Sequence, residues 1–377
     1  MILSLSFYLF IMTIVYVVLV LYMRNGWMRI PYFQSEEHFP NEKVSIIIAA
    51  RNEEQNIGKT LDAIIAQDYP KELLEVIVID DHSTDKTGLI VQSYATRGVK
   101  LITLNEGSKL NSYKKFAINK AIIASEGDII ITTDADCQMG PKWVRTIISY
   151  MVLNQKQMVS SPVSYHEEKS YFEKLQTLEF LYLIGLGASG IGNENPTTCN
   201  GANLAYRKSL FFEMGGFKGI DDLASGDDEL LLHKVAENHS AWIGFCKSRE
   251  AVVYTDAKEN LKAFLNQRRR WASKSTKYKD KKVVVLGVCI WIFNLVFLGS
   301  LLSVLVLDKD AQTLVLVSLI FKFLCELAFL YPVLAFMRRK ELLVNLPLLT
   351  VIHPLYLIYI GIMGNIGKYD WKGRTVK

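Results

Sequence analysis

The chain has 377 residues, half of them hydrophobic, with a formal net charge of +5 and a mean hydropathy of +0.17. That hydropathy is high for a soluble protein, and the length allows two domains. The charge is too small for a nucleic-acid partner, and neither zinc-finger spacing nor a basic helix interleaved with aromatic residues is present. Five scattered cysteines indicate a reducing compartment rather than a disulfide framework.

The first element is an uncharged run at 3–23, which is long enough to span a bilayer. No lysine or arginine precedes it and no small-residue cleavage site follows, which argues against a cleaved signal peptide. Arg24 and Arg29 follow directly, so the positive-inside rule places the next segment in the cytoplasm. We therefore expect a transmembrane helix, a cytoplasmic domain and a C-terminal membrane region, at 1–23, 24–282 and 283–377.

Strand-like and helix-like patterns alternate between residues 43 and 160. Buried-strand runs stand at 44–50, 74–81, 99–105 and 127–136, with helical apolar spacing between them. This alternation predicts a mostly parallel α/β sheet, in which ligands bind beyond the carboxyl ends of the strands. The acidic clusters fall at those ends. GxGxxG and GxxxxGK[ST] are both absent, which removes the main support for dinucleotide or P-loop binding.

Three acidic clusters each allow a chemical and a structural interpretation. Asp134 and Asp136 are two residues apart and would hold a hard divalent cation that takes further oxygens from phosphates, or else form a solvated turn. "DDHSTD" (80–85) would accept hydrogen bonds from an imide or ribose, while Ser83 or Thr84 would cap the next helix. "SGDDEL" (225–230) offers a general base, or a capping cluster on a helix that begins near Glu229.

The stretch 170–187 has aromatic and leucine residues at helical spacing. It predicts either an amphipathic helix on a membrane surface or a buried helix of the domain.

Two further uncharged runs, at 283–307 and 311–336, predict a second and a third transmembrane helix with cytoplasmic basic flanks. The third contains Lys322 and Glu326, and their i,i+4 spacing favours an internal ion pair over a substrate role. A fourth run, at 342–366, either spans the membrane or forms a re-entrant helical hairpin broken at His353-Pro354. The hairpin is favoured because it keeps the basic tail inside.

Seven motifs follow one another in order: "VSIIIAARNEE", "DDHSTD", "YKKFAIN", "TDAD", "CNGANLAYRK", "GGF…SGDDEL" and "QRRRW". Together they resemble the family 2 inverting glycosyltransferases, in the membrane-bound branch that includes cellulose, hyaluronan and poly-N-acetylglucosamine synthases and ceramide glucosyltransferase. The resemblance covers about residues 43 to 272 and the flanking membrane helices. It implies a GT-A fold, with a Rossmann-like nucleotide-sugar half and an acceptor half.

The same resemblance assigns the donor-binding residues and the metal. A nucleotide-sugar donor, UDP-linked by expectation, would contact the side chains and backbone of Ala49, Asn52, Glu53, Asp80, Asp81, Lys114, Asp134 and Arg270. Mg²⁺ or Mn²⁺ would be bound by Asp134 and Asp136.

The catalytic base in the family is the aspartate of an "ED" motif, from which this sequence departs. Two alignments are open, with Asp227 or Asp228 as the base, and the spacing to Glu229 favours Asp227. "CNGAN" would form an acceptor loop that includes Asn200 and Gly201.

"QRRRW" matches the family's QxxRW signature at Gln267, Arg270 and Trp271. The resemblance implies that Arg270 binds the donor diphosphate and that Gln267 and Trp271 bind the acceptor. A guanidinium can hold a phosphate through two hydrogen bonds, and an indole can stack on a sugar ring, so both side chains suit those roles. Arg268 and Arg269 are not fixed in the motif, and we interpret them as lipid-facing or solvated.

These features predict an inverting transfer from a nucleotide sugar, with β-linkage, at the cytoplasmic face of the plasma membrane. The acceptor is either a growing polysaccharide or a membrane lipid. Three predicted membrane helices provide a monomer with little material for a translocation channel, though a homo-oligomer or an accessory subunit could supply more. A non-catalytic nucleotide-sugar-binding subunit is the alternative from another class.

Overall fold

The structure is a computed structural model that describes residues 2–35, 40–106, 112–223, 225–274, 278, 280–364, 369–371 and 374–376. The chain divides into two compact units. The α/β unit comprises Arg29–Glu168, Gly190–Ala257 and Asp370–Lys377. The helical unit comprises Met1–Met28, Lys169–Ser189 and Lys258–Tyr369.

The helices, in chain order, are α1 (Ile2–Arg29), α2 (Ile57–Ile65), α3 (Thr87–Ser93), α4 (Tyr113–Ala124), α5 (Trp143–Leu153), α6 (Tyr171–Gly192), α7 (Lys208–Glu213), α8 (Glu229–His239), α9 (Leu261–Ala272), α10 (Lys281–Leu302), α11 (Lys309–Met337) and α12 (Leu346–Met363). The strands are β1 (Val44–Ala50), β2 (Leu74–Asp80), β3 (Val99–Thr103), β4 (Ile129–Asp134), β5 (Gln138–Met139), β6 (Met158–Ser160), β7 (Val163–Tyr165), β8 (Leu204–Arg207), β9 (Ile243–Phe245), β10 (Val253–Thr255), β11 (Tyr369–Trp371) and β12 (Arg374–Val376).

The α/β unit is built on a seven-stranded sheet in the order β3-β2-β1-β4-β8-β6-β9. Strands β3, β2, β1 and β4 are parallel to their neighbours, whereas β8 runs antiparallel to β4 and to β6. The central strands are continuous apolar runs because helices cover both faces of such a sheet. The mostly parallel α/β sheet predicted from the sequence is therefore confirmed.

Helix α3 begins later than the sequence indicated. Its first residue is Thr87, whose backbone N–H donates to the Oδ1 atom of Asp85 at 2.9 Å. The prediction that Ser83 or Thr84 caps this helix is wrong. The Ser83 hydroxyl instead accepts a hydrogen bond from the backbone N–H of Asn52, so it serves the loop after β1.

Among the residues that the structure describes, four helices are long and apolar enough to cross a membrane, judged by length and composition: Leu5–Arg29, Lys281–Leu302, Lys309–Met337 and Lys340–Met363. In the fourth, α12 continues through Pro354 without a break. We favoured a helical hairpin over 342–366, broken at His353-Pro354. Over 346–363 the structure instead has one continuous helix. Pro354 leaves the Thr350 carbonyl without its helical N–H donor, and that carbonyl instead accepts from the Lys322 ammonium of α11 at 3.4 Å.

Helix α6 is buried, so of the two interpretations of 170–187 the structure has the buried helix and not the amphipathic surface helix. Leu178 and Leu181 are fully buried, and the Tyr182 ring packs edge-on against Phe329 of α11 with ring centroids 5.0 Å apart. Its N-terminal 19 residues, up to Ser189, belong to the helical unit. An exposed amphipathic helix would have left one face uncovered.

The ion pair predicted within α11 is confirmed. The Nζ atom of Lys322 lies 2.5 Å from an oxygen of Glu326, and both side chains are buried. Glu326 also accepts hydrogen bonds from the hydroxyls of Tyr16 and Thr350, each at 2.8 Å. This saturated arrangement offsets the cost of burying two charges.

Candidate active site

The parallel register brings the predicted donor-binding residues to one edge of the sheet. Ala50 of β1 is paired with Asp80 of β2, and Ala49 is paired with Asp134 of β4. These pairs stand at the carboxyl ends of three adjacent strands, where α/β sheets bind their ligands. The sheet therefore brings together residues that are up to 85 positions apart in the sequence.

Lys114 lies at the centre of this edge. Its ammonium nitrogen is 3.0 Å from Oδ1 of Asp134 and 3.3 Å from Oδ2 of Asp227. Burial lowers the pKa of Lys114, but the negative charges of Asp134, Asp227 and Asp228 outweigh burial and raise the pKa well above its ordinary value. Lys114 is therefore a fixed positive charge that joins the "TDAD" and "SGDDEL" motifs.

The two adjacent aspartates at 227 and 228 have different surroundings. Asp228 is the N-cap of α8: its Oδ1 accepts from the N–H of Glu229 at 2.7 Å, and its Oδ2 accepts from the N–H of Gly201 at 2.8 Å. Asp227 faces Lys114, with its side chain 11% exposed. Asp228 thus holds local structure together, and Asp227 carries its carboxylate into the site.

Gly201 brings the acceptor-loop backbone against this pair of aspartates. A Cβ atom at this position would lie 3.2 Å from Cβ of Asp228 and 3.4 Å from Oδ2 of Asp227. The Gly201 carbonyl accepts from the hydroxyl of Thr132 on β4, at 2.9 Å. Asn200 caps the turn that follows, its Oδ1 accepting from the N–H of Ala202. Loop, strand and α8 therefore meet at one point.

The loops after β1 and β2 are bonded to each other. Asn52 has a left-handed φ of 50°, and its Oδ1 accepts from the N–H of Thr84 at 2.8 Å. The backbone N–H of Glu53 donates to the hydroxyl of Thr87 at 2.7 Å. These bonds hold the first nucleotide-contacting loop of the prediction in one conformation.

Asp80 and Asp81 are both buried at the end of β2, at 7% and 2% exposure. Asp80 Oδ1 accepts from the N–H of Ser83 at 3.0 Å, and Asp81 Oδ1 lies 2.9 Å from Nδ1 of His82. The two acids therefore shape the turn between β2 and α3.

Asp134 and Asp136 are the two residues predicted to bind the divalent cation. The segment between them is fixed because the Ala135 carbonyl accepts from the Thr60 hydroxyl at 2.8 Å. The Asp134 side chain is 41% exposed. No group of three or more His, Cys, Asp or Glu side chains that could enclose a metal occurs among the described residues. Two carboxylate-bearing residues fit a Mg²⁺ or Mn²⁺ ion that completes its shell with waters and phosphate oxygens.

Sequence reasoning missed Lys115. This lysine is 1% exposed, and its ammonium donates to the carbonyls of Leu223 and Ser225 at 2.8 and 2.7 Å. Burial lowers the pKa of Lys115, and the charges of Asp227 and Asp228 oppose that shift. The doublet Lys114-Lys115 could have indicated this role. Adjacent residues on a helix point about 100° apart, so the two lysines must contact different partners.

"QRRRW" lies on α9, in the helical unit. The interpretation of Arg268 as lipid-facing or solvated is wrong: its side chain is 2% exposed and forms a salt bridge with Glu179 of α6. Arg269 is half-buried rather than solvated, and its Nε atom is buried. The error arose because the motif fixes only Gln267, Arg270 and Trp271, and the partner of Arg268 is 89 residues away. The roles predicted for those three residues stay predictions.

The element order, the sheet and the strand-end site define a GT-A fold, a Rossmann-like nucleotide-binding architecture. A solved structure with this fold is the mannosyltransferase PcManGT from Pyrobaculum calidifontis in complex with GDP-Man and Mn²⁺. It has a TM-score of 0.60 and 17% identity over 97% of this chain and 99% of that one. At this identity the likeness establishes the fold alone.

Residues 45–215 match the model of the family described as Glycosyl transferase family 2. The chain is 29% identical over 235 residues to the probable glycosyltransferase YdaM of Bacillus subtilis (strain 168), covering 61% of this chain and 54% of that relative's length. It is 25% identical over 359 residues to the 4,4'-diaponeurosporenoate glycosyltransferase of Staphylococcus aureus (strain bovine RF122 / ET3-1), covering 89% of each chain.

Proposed function

We propose that this chain is a membrane-bound inverting glycosyltransferase that transfers a sugar from a UDP-sugar to a lipid acceptor, in single transfers with a β-linkage. The observation that carries the proposal is Lys114, which contacts Asp134 on the donor side and Asp227 on the base side. The match to the family 2 model supports a nucleotide-sugar reaction. Two acids and a charged lysine close together can support displacement of a nucleoside diphosphate, because fixed charges stabilise the charge that develops in the reaction.

In the proposed reaction, Asp227 removes the proton from an acceptor hydroxyl, which attacks the anomeric carbon as the bond to the diphosphate breaks. Lys114 contacts the Asp227 carboxylate and orients it towards the acceptor. Asp134 and Asp136 would hold a divalent cation, which supplies positive charge to the departing diphosphate. Asp228 keeps the Asp227 backbone and the Gly201 loop in register. The donor contacts assigned to Asn52, Glu53 and Asp81 belong to the same proposal.

A lipid acceptor is favoured over a growing polysaccharide by a single observation. One relative, which matches over 89% of both chains, is named for glycosylation of 4,4'-diaponeurosporenoate. With four candidate membrane helices, the active domain would stand at the cytoplasmic surface of the membrane, where such acceptors partition.

The test uses the full chain in detergent with UDP-glucose and UDP-N-acetylglucosamine as donors. We expect release of UDP that depends on Mn²⁺ or Mg²⁺ and is abolished by EDTA. Asp136→Ala should lose at least about 100-fold of this activity, because one of two protein ligands to the cation is removed. Asp128→Ala, an acid outside the site, is the matched control. Full activity in Asp136→Ala would overturn the metal assignment.

Product size separates the two acceptor classes. Incubation of labelled donor with hexadecanol, palmitate or a total lipid extract should give a short, lipid-soluble product. A ladder or a high-molecular-mass smear on a sizing gel would instead favour the processive alternative. UDP binding without turnover of any donor would favour the non-catalytic nucleotide-sugar-binding subunit.

A further inference from the structure

We propose that Arg268, together with Glu179, is a positioning pair that holds Gln267 and Trp271 in the geometry used for acceptor binding. The inference rests on the proposed function, since it deepens the acceptor role of the "QRRRW" helix. Arg268 occupies one of the two variable positions of the motif, and its side chain points into the helical unit.

The first observation is that Arg268 touches both residues to which the acceptor role is assigned. Its Nη1 donates to Oε1 of Gln267 at 3.0 Å. Its guanidinium carbon lies 4.2 Å from the centroid of the Trp271 ring, within the range of a cation–π contact. The indole also neighbours Phe180, with ring centroids 5.9 Å apart, and the Arg268 guanidinium carbon lies 6.0 Å from the Phe180 centroid. Trp271 is therefore held by Arg268 and Phe180.

The second observation is that Arg268 is itself fixed. Its Nη2 is bonded to Oε2 of Glu179, and the two side chains are 2% and 6% exposed. Its guanidinium also lies 4.7 Å from the ring centroid of Phe264, one helical turn earlier on α9. A buried guanidinium held by a carboxylate and by aromatic rings has little freedom to change rotamer, because each alternative would leave a charge unpaired.

The third observation is that the chain around α9 is held by α6 before its first turn and contacted by the end of α12 at its last turn. Before its first turn, the Gln176 side chain of α6 exchanges two hydrogen bonds with the backbone of Lys258, at 2.8 and 3.0 Å. At its other end α12 comes so close that a Cβ on Gly364 would lie 2.6 Å from Cβ of Ala272. Glu179 also accepts from the Tyr356 hydroxyl of α12, at 3.5 Å.

Taken together, these contacts make Glu179 the common acceptor for α9 and α12, and Arg268 the link from Glu179 to Gln267 and Trp271. Arg268 is a positioning residue, because it acts through those two side chains.

The experiment compares the KM for the acceptor with the KM for the donor in the full chain, using hexadecanol and palmitate as probe acceptors and UDP-glucose as donor. Arg268→Met and Glu179→Gln should each raise the acceptor KM at least about tenfold, while the donor KM and the rate of donor hydrolysis without acceptor change less than twofold. Arg269→Met removes the same charge one residue further along and should leave both KM values unchanged.

A double variant separates positioning from stability. Replacing both members of a buried ion pair by apolar residues is often neutral for stability. Arg268→Met/Glu179→Leu should therefore melt near the wild-type temperature and yet keep the raised acceptor KM. Recovery of the wild-type acceptor KM in the double variant would overturn the proposal, because the pair would then serve folding alone.

A second readout does not depend on turnover. The fluorescence of Trp271 is obtained by subtracting the emission spectrum of Trp271→Phe from that of the wild-type protein. The same subtraction, with and without Trp271→Phe, is made in the Arg268→Met/Glu179→Leu variant. Loss of the guanidinium should make this contribution more accessible to acrylamide. Equal quenching in the two backgrounds would overturn the positioning pair. If wild-type protein turns over no donor but the quenching differs, the proposed function fails and the positioning pair stands.

Discussion

The two units use lysine–carboxylate contacts in opposite ways. In the helical unit, Lys322 pairs with one acid, Glu326, and the Tyr16 and Thr350 hydroxyls donate to its Oε1 and Oε2 atoms; the lysine and glutamate side chains are 1% and 6% exposed. In the α/β unit, Lys114 is shared between Asp134 and Asp227, and Asp134 is 41% exposed.

The difference teaches how charge can be used for structure or for chemistry. A pair with every oxygen satisfied has no capacity to take a ligand without breaking, so it holds helices together. A cation shared by two acids, one of them exposed, can give up part of its contacts to an incoming phosphate or hydroxyl. The variants below test whether each arrangement has the role that this comparison assigns to it.

The largest expected effect is on catalysis. Asp227→Asn removes the proposed base while keeping shape, and transfer to a hydroxyl acceptor should fall about 10²–10⁴-fold. Asp228→Asn should lose less than about tenfold, because asparagine is also a good N-cap. Initial rates with hexadecanol as acceptor measure both. An inactive Asp228→Asn beside an active Asp227→Asn would reverse the assignment of the base.

The acceptor itself sharpens the Asp227 prediction. A carboxylate acceptor such as palmitate carries no proton to remove. Asp227→Asn should therefore retain transfer to palmitate within about tenfold while losing transfer to hexadecanol. Equal losses with both acceptors would mean that Asp227 acts on the donor rather than as a base.

The next effect is on stability in the helical unit. Glu326→Ala should destabilise the protein by about 3–5 kcal/mol, since it leaves the Lys322 charge buried without its carboxylate. Lys322→Met/Glu326→Leu should cost much less, because it removes both charges. Apparent melting temperatures in detergent compare the two. A double variant as unstable as Glu326→Ala would show that packing, not the unpaired charge, is responsible.

A smaller loss is expected at Lys115. Lys115→Met leaves the carbonyls of Leu223 and Ser225 without their charged donor, and the cost should be about 2–3 kcal/mol. Lys120→Met, on the same helix but 45% exposed and paired with Glu106, should cost less than about 1 kcal/mol. Melting temperatures measure both. Equal losses at the two lysines would remove the special role of the buried one.

The smallest effect is a pH dependence at Lys247. This buried lysine donates to the Ile30 carbonyl at 3.0 Å, and burial lowers its pKa from 10.5 to about 8. Between these values the unfolded chain binds more protons than the folded one, so stability should rise as the pH increases from about 8 to about 10.5. Lys247→Met should lack this component. Parallel melting curves against pH for the two proteins would contradict the assignment.

The central sheet was predictable because its strands are continuous apolar runs ending in acids, a local pattern. The pairing within α11 was predictable for the same reason, since Lys322 and Glu326 are one helical turn apart. The start of α3 was not, because the Ser83 hydroxyl is used by Asn52, 31 residues away. The burial of Arg268 was not either, because nothing near it in the sequence identifies Glu179 as its partner.

The amino-acid sequence by itself determined the α/β class, the resemblance to family 2 glycosyltransferases, the position of the apolar helices and the set of acids at the strand ends. These features depend on residue type and spacing over a few turns or strands. Only the tertiary structure decided that Asp228 caps α8 while Asp227 faces Lys114, that Lys115 holds the 223–225 backbone, and that Arg268 of "QRRRW" is buried against Glu179. Each of these depends on which distant partner satisfies a charge or a hydrogen bond, and burial makes that choice energetically decisive.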